Sequence, residues 1–305
     1  MASQRDIEST YDWVDGFHEL RLGKHADYTC AFFDGDFAKT LDQAQKDKHE
    51  YALKGITFKP GRKVLDIGCG WGPILQAVKD KGGVAVGFTL SPAQRQSCVN
   101  QGLDARLQDY KAADPERLGE FDGIVCIGAL EHFCSIEEFK DGRQDEIYRN
   151  FFRFCNVLLP SAGRLYLQTM VWGKKVPDSD KLSLDAPKGS DELIVAKAAT
   201  FYPGSWLPTG KEQLAKDAEP YFKLISSNNG RLDYIETLDR WDKSIRLLFT
   251  TWRIFPTAVA ALKLLPRFLT SRAFRTQLSF VRNKDQAEIF RREIFSHERM
   301  IFEKI

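Results

Sequence analysis

No run of about eighteen consecutive apolar residues occurs in the 305-residue chain, so no membrane-spanning helix is expected. The opening Met-Ala-Ser-Gln-Arg-Asp has no apolar core of the kind a secretory leader needs. The expectation is a cytoplasmic protein, peripheral to a membrane at most. The six cysteines, Cys30, Cys69, Cys98, Cys126, Cys134 and Cys155, contain no C-x-x-C pair and no disulfide-like cluster; this fits a reducing compartment and predicts no metal site. A formal charge of only +2 gives no global basicity, so a nucleic-acid partner is not expected. Internal repeats and low-complexity tracts are absent, and the length suits one domain with appendages or at most two.

What is present centres on Val64-Leu65-Asp66-Ile67-Gly68-Cys69-Gly70-Trp71-Gly72. An apolar run, alternate glycines, and the helical spacing of Ile74, Leu75 and Val78 read as a buried parallel strand turning sharply into a helix. Gly68, Gly70 and Gly72 lack a Cβ, so the backbone can take positive φ and a ligand can lie against it. The spacing is not the G-x-G-x-x-G of dinucleotide binders. The next strand, Val84–Phe88, ends at Thr89-Leu90-Ser91 with Gln94 after it. No acid stands there for a ribose, which disfavours NAD. A third strand ends in Asp109-Tyr110, an acid able to accept from an adenine amino group beside a ring able to stack on the base. A fourth, Gly123–Ile127, leads into Glu131-His132-Phe133. This succession matches an S-adenosylmethionine site.

Further blocks make the match specific. Tyr28-Thr29-Cys30-Ala31-Phe32-Phe33, Thr40 to Gln45, the glycine loop, Thr89 to Gln94, Leu107 to Tyr110, Glu131 to Phe133, Phe201 to Gly204 and Tyr234 occur in an order that resembles the cyclopropane-fatty-acid and mycolic-acid cyclopropane synthase family. The resemblance covers roughly residues 25 to 245. It implies an α/β fold, a class I Rossmann-like methyltransferase with a seven-stranded, mostly parallel sheet and an antiparallel last strand. It also implies one domain over 1–305: an N-terminal helical cover to 58, a cofactor-binding core over 59–239, a helical insertion over 240–296 and the last strand over 297–305.

The reaction implied is methyl transfer to the cis double bond of an unsaturated fatty-acyl lipid, giving a ring or a methyl branch through a carbocation. Tyr28 and Thr29 then contact the methionine end of the cofactor, and Asp66 orders the loop near its charged amino-acid end. The family holds a bicarbonate as the terminal base; Cys30, Glu131, Tyr234 and the backbone around Ile127 match its partners. The family's strand-five histidine is missing, since Gln168 stands in its place. Glutamine can donate a hydrogen bond to an oxyanion but cannot carry charge or exchange a proton at neutral pH. Either bicarbonate binds with an altered partner or the final step differs. The alternative is N- or C-methylation of a small molecule such as an amine or isoprenoid, served by the pair Glu131-His132. Nucleic-acid methylation finds no support, because neither an Asn/Asp-Pro-Pro-aromatic motif nor a Pro-Cys nucleophile occurs.

Elsewhere, residues 5 to 22 show helical spacing, Thr40 suits the cap of a helix from Leu41, and Ile136 to Leu159 reads as one helix ending at Pro160. Gly163 to Met170 reads as strand five, Val171 to Thr200 as a polar loop or lid, and Thr209 to Glu212 as a capping box. Phe222 to Ser226 and Arg299 to Lys304 read as the last two strands. Residues 240–284 hold ten bases against one acid, a net +9, leaving about −7 for the rest. Aromatic and aliphatic residues interleave there, the composition of a segment lying on an anionic membrane surface or of a helical cap with a solvated basic rim.

Overall fold

The structure is a computed structural model and describes residues 27–174, 176–250, 266, 268–282 and 285–305. The helix expected over 5–22 and the middle of the basic segment lie outside the described residues.

Seven strands form one sheet in the order β3-β2-β1-β4-β5-β7-β6. They are β1 Lys63–Ile67, β2 Val84–Thr89, β3 Asp104–Leu107, β4 Gly123–Ile127, β5 Arg164–Trp172, β6 Phe222–Asn229 and β7 Phe295–Lys304. The first five run parallel, while β7 lies between β5 and β6 and pairs antiparallel with both. Each of the first five strands is followed by helix: α1 Leu41–Gly55 precedes the sheet, then come α2 Pro73–Asp80, α3 Pro92–Asn100, α4 Pro115–Leu118, α5 Ile136–Lys140, α6 Gln144–Leu158 and α7 Asp191–Phe201. After α8 Lys211–Ala218 and β6 come α9 Arg231–Thr250, α10 Arg272–Arg282 and α11 Asp285–Arg291. Connections after β1 and β4 leave the sheet in opposite directions. A crevice opens between their carboxyl ends, where open α/β sheets bind ligands.

The β4 strand is buried along its whole length, and β5 along all but its first residue. Such strands read as continuous apolar runs because helices cover both faces. On one side Phe151, Phe152 and Leu158 of α6 pack on Leu165, Phe222 and Phe302; on the other, Ala52, Leu53 and Ile56 pack on Val64, Val125 and Tyr166. A separate apolar layer joins α7, α9, α10 and α11 to Met170 and Trp172 at the end of β5.

Four sequence expectations change. The helix expected over 136–159 is two: Ser135 and Glu138 form a capping box for α5, and the chain turns at Gly142, φ 71°, before α6. The stretch 171–200 is not all loop. It begins with the last residues of β5 and ends in α7, which Ser190 caps by accepting from Leu193 N–H. The capping box at Thr209 and Glu212 does not form; Gly210 is the cap position, and Gln213 Oε1 accepts from both Thr209 N–H and its hydroxyl. The boundary expected at 240 falls inside α9. Arg240 there reaches back to the carbonyls of Phe37 and Lys39 and pairs with Glu236.

Candidate active site

The glycine loop after β1 has positive φ at Gly68, Gly70 and Gly72, and each glycine answers a different demand. A Cβ on Gly68 would sit 2.4 Å from that of Ala129, so Gly68 lets the β1 and β4 loops touch. A Cβ on Gly72 would meet Leu103 and Cys98; this residue begins α2. A Cβ on Gly70 meets nothing within 4 Å, because Gly70 borders the open crevice.

That crevice encloses about 990 Å³ of space continuous with solvent. Tyr28, Thr29, Asp66, Gly68, Gly70, Thr89, Leu90, Gln94, Asp109, Tyr110 and Ile127, named from the sequence for the cofactor, line it, as does His132, named for catalysis, so residues from five loops converge there. Gly72 and Ser91 do not line it. Ser91 is wholly buried and caps α3 by accepting from Gln94 N–H, which fixes the Thr89–Gln94 turn; Thr89 in turn donates to Gln94 Oε1 at 2.7 Å. Asp109 caps the following turn through Lys111 N–H. The Tyr110 ring packs against Phe133 at 4.7 Å, so most of it belongs to the core.

One wall was not legible in the sequence. Asp27 and Lys48 also line the crevice, with Lys48 Nζ 2.5 Å from Asp27 Oδ2 and donating to Thr29 Oγ1 at 2.6 Å. His49 Nε2 lies 2.7 Å from the same Asp27 oxygen, and Thr29 donates to Asp27 Oδ1 through both N–H and hydroxyl. Burial disfavours the Asp27 charge, but Lys48 and His49 outweigh it and hold the carboxyl well below its usual range. Burial, reinforced by the Asp27 charge and opposed by Lys48, pushes Asp66 up to about 8. Tyr28 stacks on Trp241 of α9 at 4.9 Å and 10°, so α9 backs the strap over the crevice.

Glu131 and His132 sit in a turn of 3-10 helix after β4 and face two ways. His132 borders the crevice; burial lowers it to about 4, and its Nδ1 is 2.8 Å from Ser205 Oγ. Glu131 is 3 % exposed and accepts from Met170 N–H at 2.7 Å through Oε1, and its buried Oε2 has no close hydrogen-bond partner among the described residues, although the Thr169 side chain also favours its charge. Burial raises its carboxyl to about 7. Glu131 borders a second, smaller space of about 390 Å³, counting the part continuous with solvent, walled by Trp172, Trp206, Tyr202 and Phe295 among others. The indole N–H groups of Trp172 and Trp206 are likewise buried without partners among the described residues. Met170, Tyr202 and Phe295 are shared with a third, narrow space, about the size of one water, that Tyr234, Leu238, Phe280 and Phe290 border.

Cys30 and Gln168 border none of these spaces. The Cys30 thiol is wholly buried, burial pushes it up to about 12, and Arg299 Nη2 lies 3.3 Å from its Sγ. Gln168 donates to the Cys30 carbonyl at 3.1 Å and accepts from the Tyr166 hydroxyl at 2.9 Å, which engages both ends of its amide. Arg299, opposite Gln168 in the β5–β7 register, also donates to the Ala31 carbonyl and pairs with Asp233 at 2.9 Å.

The family described as mycolic acid cyclopropane synthetase matches residues 1–251. This chain belongs to it. It is 32% identical over 245 residues to cyclopropane mycolic acid synthase 3 of Mycobacterium tuberculosis, covering 77% of this chain and 80% of that one. It is 29% identical over 254 residues to hydroxymycolate synthase MmaA4 of the same organism, covering 79% and 78%. Among solved structures, mycolic acid cyclopropane synthase CmaA1 complexed with SAH and CTAB superposes with a TM-score of 0.76 at 24% identity, over 99% of this chain and 98% of that one. The chain is therefore an S-adenosylmethionine-dependent methyltransferase of the cyclopropane synthase family with the class I fold.

The crevice residues fit that cofactor. Among the described residues its lining holds Asp27, Asp66 and Asp109 with Lys48, groups that can hydrogen-bond the amino and carboxylate ends and the adenine of such a cofactor. The residues expected to hold bicarbonate fit less well. Glu131 and Tyr234 border different spaces, the Gln168 amide is hydrogen-bonded at both ends, and Arg299 lies beside Cys30.

Proposed function

We propose that this cyclopropane synthase relative methylates the cis double bond of an unsaturated acyl lipid and that Glu131, without bicarbonate, is the base that ends the reaction. The observation that carries this reading is the buried Glu131 carboxyl, whose Oε2 has no close hydrogen-bond partner among the described residues, at the wall of an aromatic space beside the crevice. Bound cofactor supplies an electrophilic methyl group on a sulfonium, and an alkene that takes it up becomes a cation. Trp172, Trp206 and Tyr202 offer ring faces to that cation, and Glu131 offers a fixed negative charge. The largely aromatic and apolar lining limits the water that can quench the cation. Glu131 Oε2 then takes a proton from the methylated substrate, closing a ring or leaving a methylene group. Tyr28, Thr29, Lys48 and Asp66 hold the methionine end of the cofactor in this reading, and Asp109 its adenine.

The acceptor reaches the site from a membrane surface. Among the described residues no helix is long and apolar enough to cross a membrane. The α10 region instead carries Leu269 and Leu278 exposed beside Arg272 and Arg275, a surface suited to anionic headgroups.

The test is incubation with methyl-labelled S-adenosylmethionine and anionic vesicles bearing cis-monounsaturated chains, with acyl products read by mass spectrometry. Labelled chains heavier by one methylene group are expected, at a rate unchanged by stripping dissolved carbon dioxide. Cofactor binding with no labelled chain sinks the acyl reading. A rate that falls with carbon dioxide and returns with added bicarbonate sinks the role given to Glu131.

A further inference from the structure

Cys69 and Cys98 are distant in the chain and meet at the glycine loop. Cys69 lies between Gly68 and Gly70, and Cys98 lies near the end of α3. A Cβ on Gly87 of β2 would sit 2.6 Å from Cys69 Sγ, so the bare glycine leaves the room that this sulfur fills. Cys98 Sγ donates to the Gly70 carbonyl at 3.4 Å, and Cys69 Sγ lies 3.8 Å from the same oxygen. The two thiols also hydrogen-bond one another. Leu75, Leu103 and Ala105 pack around the pair. All six cysteines of the chain are free thiols, and of these Cys69 is the one that borders the crevice.

We propose that Cys69 and Cys98 form an oxidative modification site, in which a peroxide entering the crevice joins them as a disulfide that lowers cofactor affinity. The proposal rests on the cofactor assignment of the crevice and on neither the acyl substrate nor the role of Glu131. A disulfide sets its sulfurs about 2 Å apart, closer than two hydrogen-bonded thiols lie, so the loop is drawn toward α3. The loop has little slack, since Gly68 and Gly70 hold it at φ 88° and 54° and Cys69 N–H donates to the Phe88 carbonyl at 2.8 Å. At its other end α3 is fixed through Ser91 to the Thr89–Gln94 turn, whose residues 89, 90 and 94 also line the crevice. The cross-link therefore shifts two walls of one site against each other.

The chemistry balances with one peroxide. The hydrogen bond from Cys69 holds the Cys98 thiol below its ordinary range, while the same contact and burial push Cys69 up. The pair thus ionises at Cys98, whose thiolate takes the Cys69 proton as the Cys69 sulfur attacks a peroxide oxygen. The sulfur–oxygen bond forms, the oxygen–oxygen bond breaks, and hydroxide leaves and is protonated by solvent to water. Cys98 then attacks the Cys69 sulfenic acid: the sulfur–sulfur bond forms, the sulfur–oxygen bond breaks, and the Cys98 proton leaves with the hydroxyl as a second water. Two thiols are oxidised and one peroxide is reduced.

The test exposes the full chain to hydrogen peroxide and maps it without reductant by peptide mass spectrometry. Residues 69 and 98 are expected in one cross-linked peptide pair that dithiothreitol separates. By calorimetry, the Kd for S-adenosylhomocysteine is expected to rise about tenfold on oxidation, a typical coupling between two sites, and to return with dithiothreitol. Saturating S-adenosylhomocysteine is expected to slow cross-linking severalfold by covering Cys69. Cys98→Ser is expected to bind S-adenosylhomocysteine as the reduced protein does and to keep that affinity through the same peroxide exposure. Cross-links elsewhere, oxidation that stops at single sulfurs, a 69–98 disulfide with unchanged affinity, or an equal loss in Cys98→Ser each overturns this proposal and leaves the cofactor assignment standing. Reduced protein that binds no S-adenosylhomocysteine overturns the crevice assignment and this proposal with it.

Discussion

At the scale of single residues, three buried acids are held in three different states by their neighbours. Asp27 is pinned ionised by Lys48 and His49, Asp66 is pushed to about 8, and Glu131 to about 7. A carboxyl whose folded value lies above its unfolded one stabilises the fold below the unfolded value and loses that contribution as pH rises through the folded one. Asp66 and Glu131 therefore make the protein less stable between about pH 4 and 8, while Asp27 acts oppositely and matters only in acid. Asp66→Asn is expected to flatten the fall of Tm between pH 6 and 8.5; an unchanged slope in a thermal melt series removes Asp66 as its source. For catalysis the sign reverses, since a base must be deprotonated. The kcat is expected to rise with pH through about 7, and Glu131→Gln to lower it by about 10² to 10⁴ with S-adenosylhomocysteine affinity retained. Single-turnover rates in both variants check this.

Arg299 shows how far a single residue can depart from what its neighbours in sequence suggest. It sits on β7, wholly buried, and ties residues 30 and 31 to Asp233 of α9 and Asn228 of β6. Removing it strands the Asp233 carboxylate. Arg299→Met is expected to cost about 3–5 kcal/mol in urea denaturation, and adding Asp233→Asn to recover part of that. Full additivity of the two losses would show that the ion pair is not what holds them.

At the scale of elements, the glycine loop separates packing from binding. Gly68→Ala places a methyl group into Ala129 at a φ of 88°, and is expected to destabilise by about 1–3 kcal/mol and to abolish cofactor binding. Gly70→Ala has open space at a φ of 54°, a left-handed conformation that costs about 1–2 kcal/mol for a residue with a Cβ. Its fold is expected to persist while cofactor affinity falls, because the methyl enters the crevice. Calorimetric titration beside a chemical melt distinguishes the two variants.

The same scale explains which elements the sequence concealed. The loop, the strand ends and Glu131 were legible because each is a local run whose glycines, apolar alternation and terminal polar residues lie side by side. The α7 helix was hidden by the polar stretch before it, although Leu193-Ile194-Val195-Ala196 is an apolar core element. The break between α5 and α6 rests on a single glycine, which sequence periodicity alone does not distinguish from a tolerated helical glycine.

At the scale of the whole molecule, the described part of the segment after 240 has two faces. Trp241 backs the Tyr28 strap and Phe280 closes the space beyond Tyr234, while Leu269 and Leu278 stay exposed near Arg272 and Arg275. One region thus contacts the segment carrying Tyr28, the space beyond Tyr234 and the outer surface. The double change Arg272→Glu with Arg275→Glu is expected to reduce flotation with anionic vesicles severalfold at low salt and to leave cofactor binding intact. Equal flotation of both proteins would move the membrane contact elsewhere.

The sequence by itself determined the strand–loop–helix order, the crevice at the point where the sheet changes direction, the place of Glu131 directly after β4 and the absence of a histidine at position 168. Each of these follows from neighbours along the chain. The tertiary structure decided the pairing of Asp27 with Lys48 and His49, the engagement of Gln168 by residues 30 and 166, the arrival of Arg299 beside Cys30, and the anchoring of Glu131 to Met170 N–H. The physical reason is that charge state and hydrogen-bonding capacity in a buried site are set by what lies within a few ångströms. Here those neighbours come from as far as 269 residues along the chain.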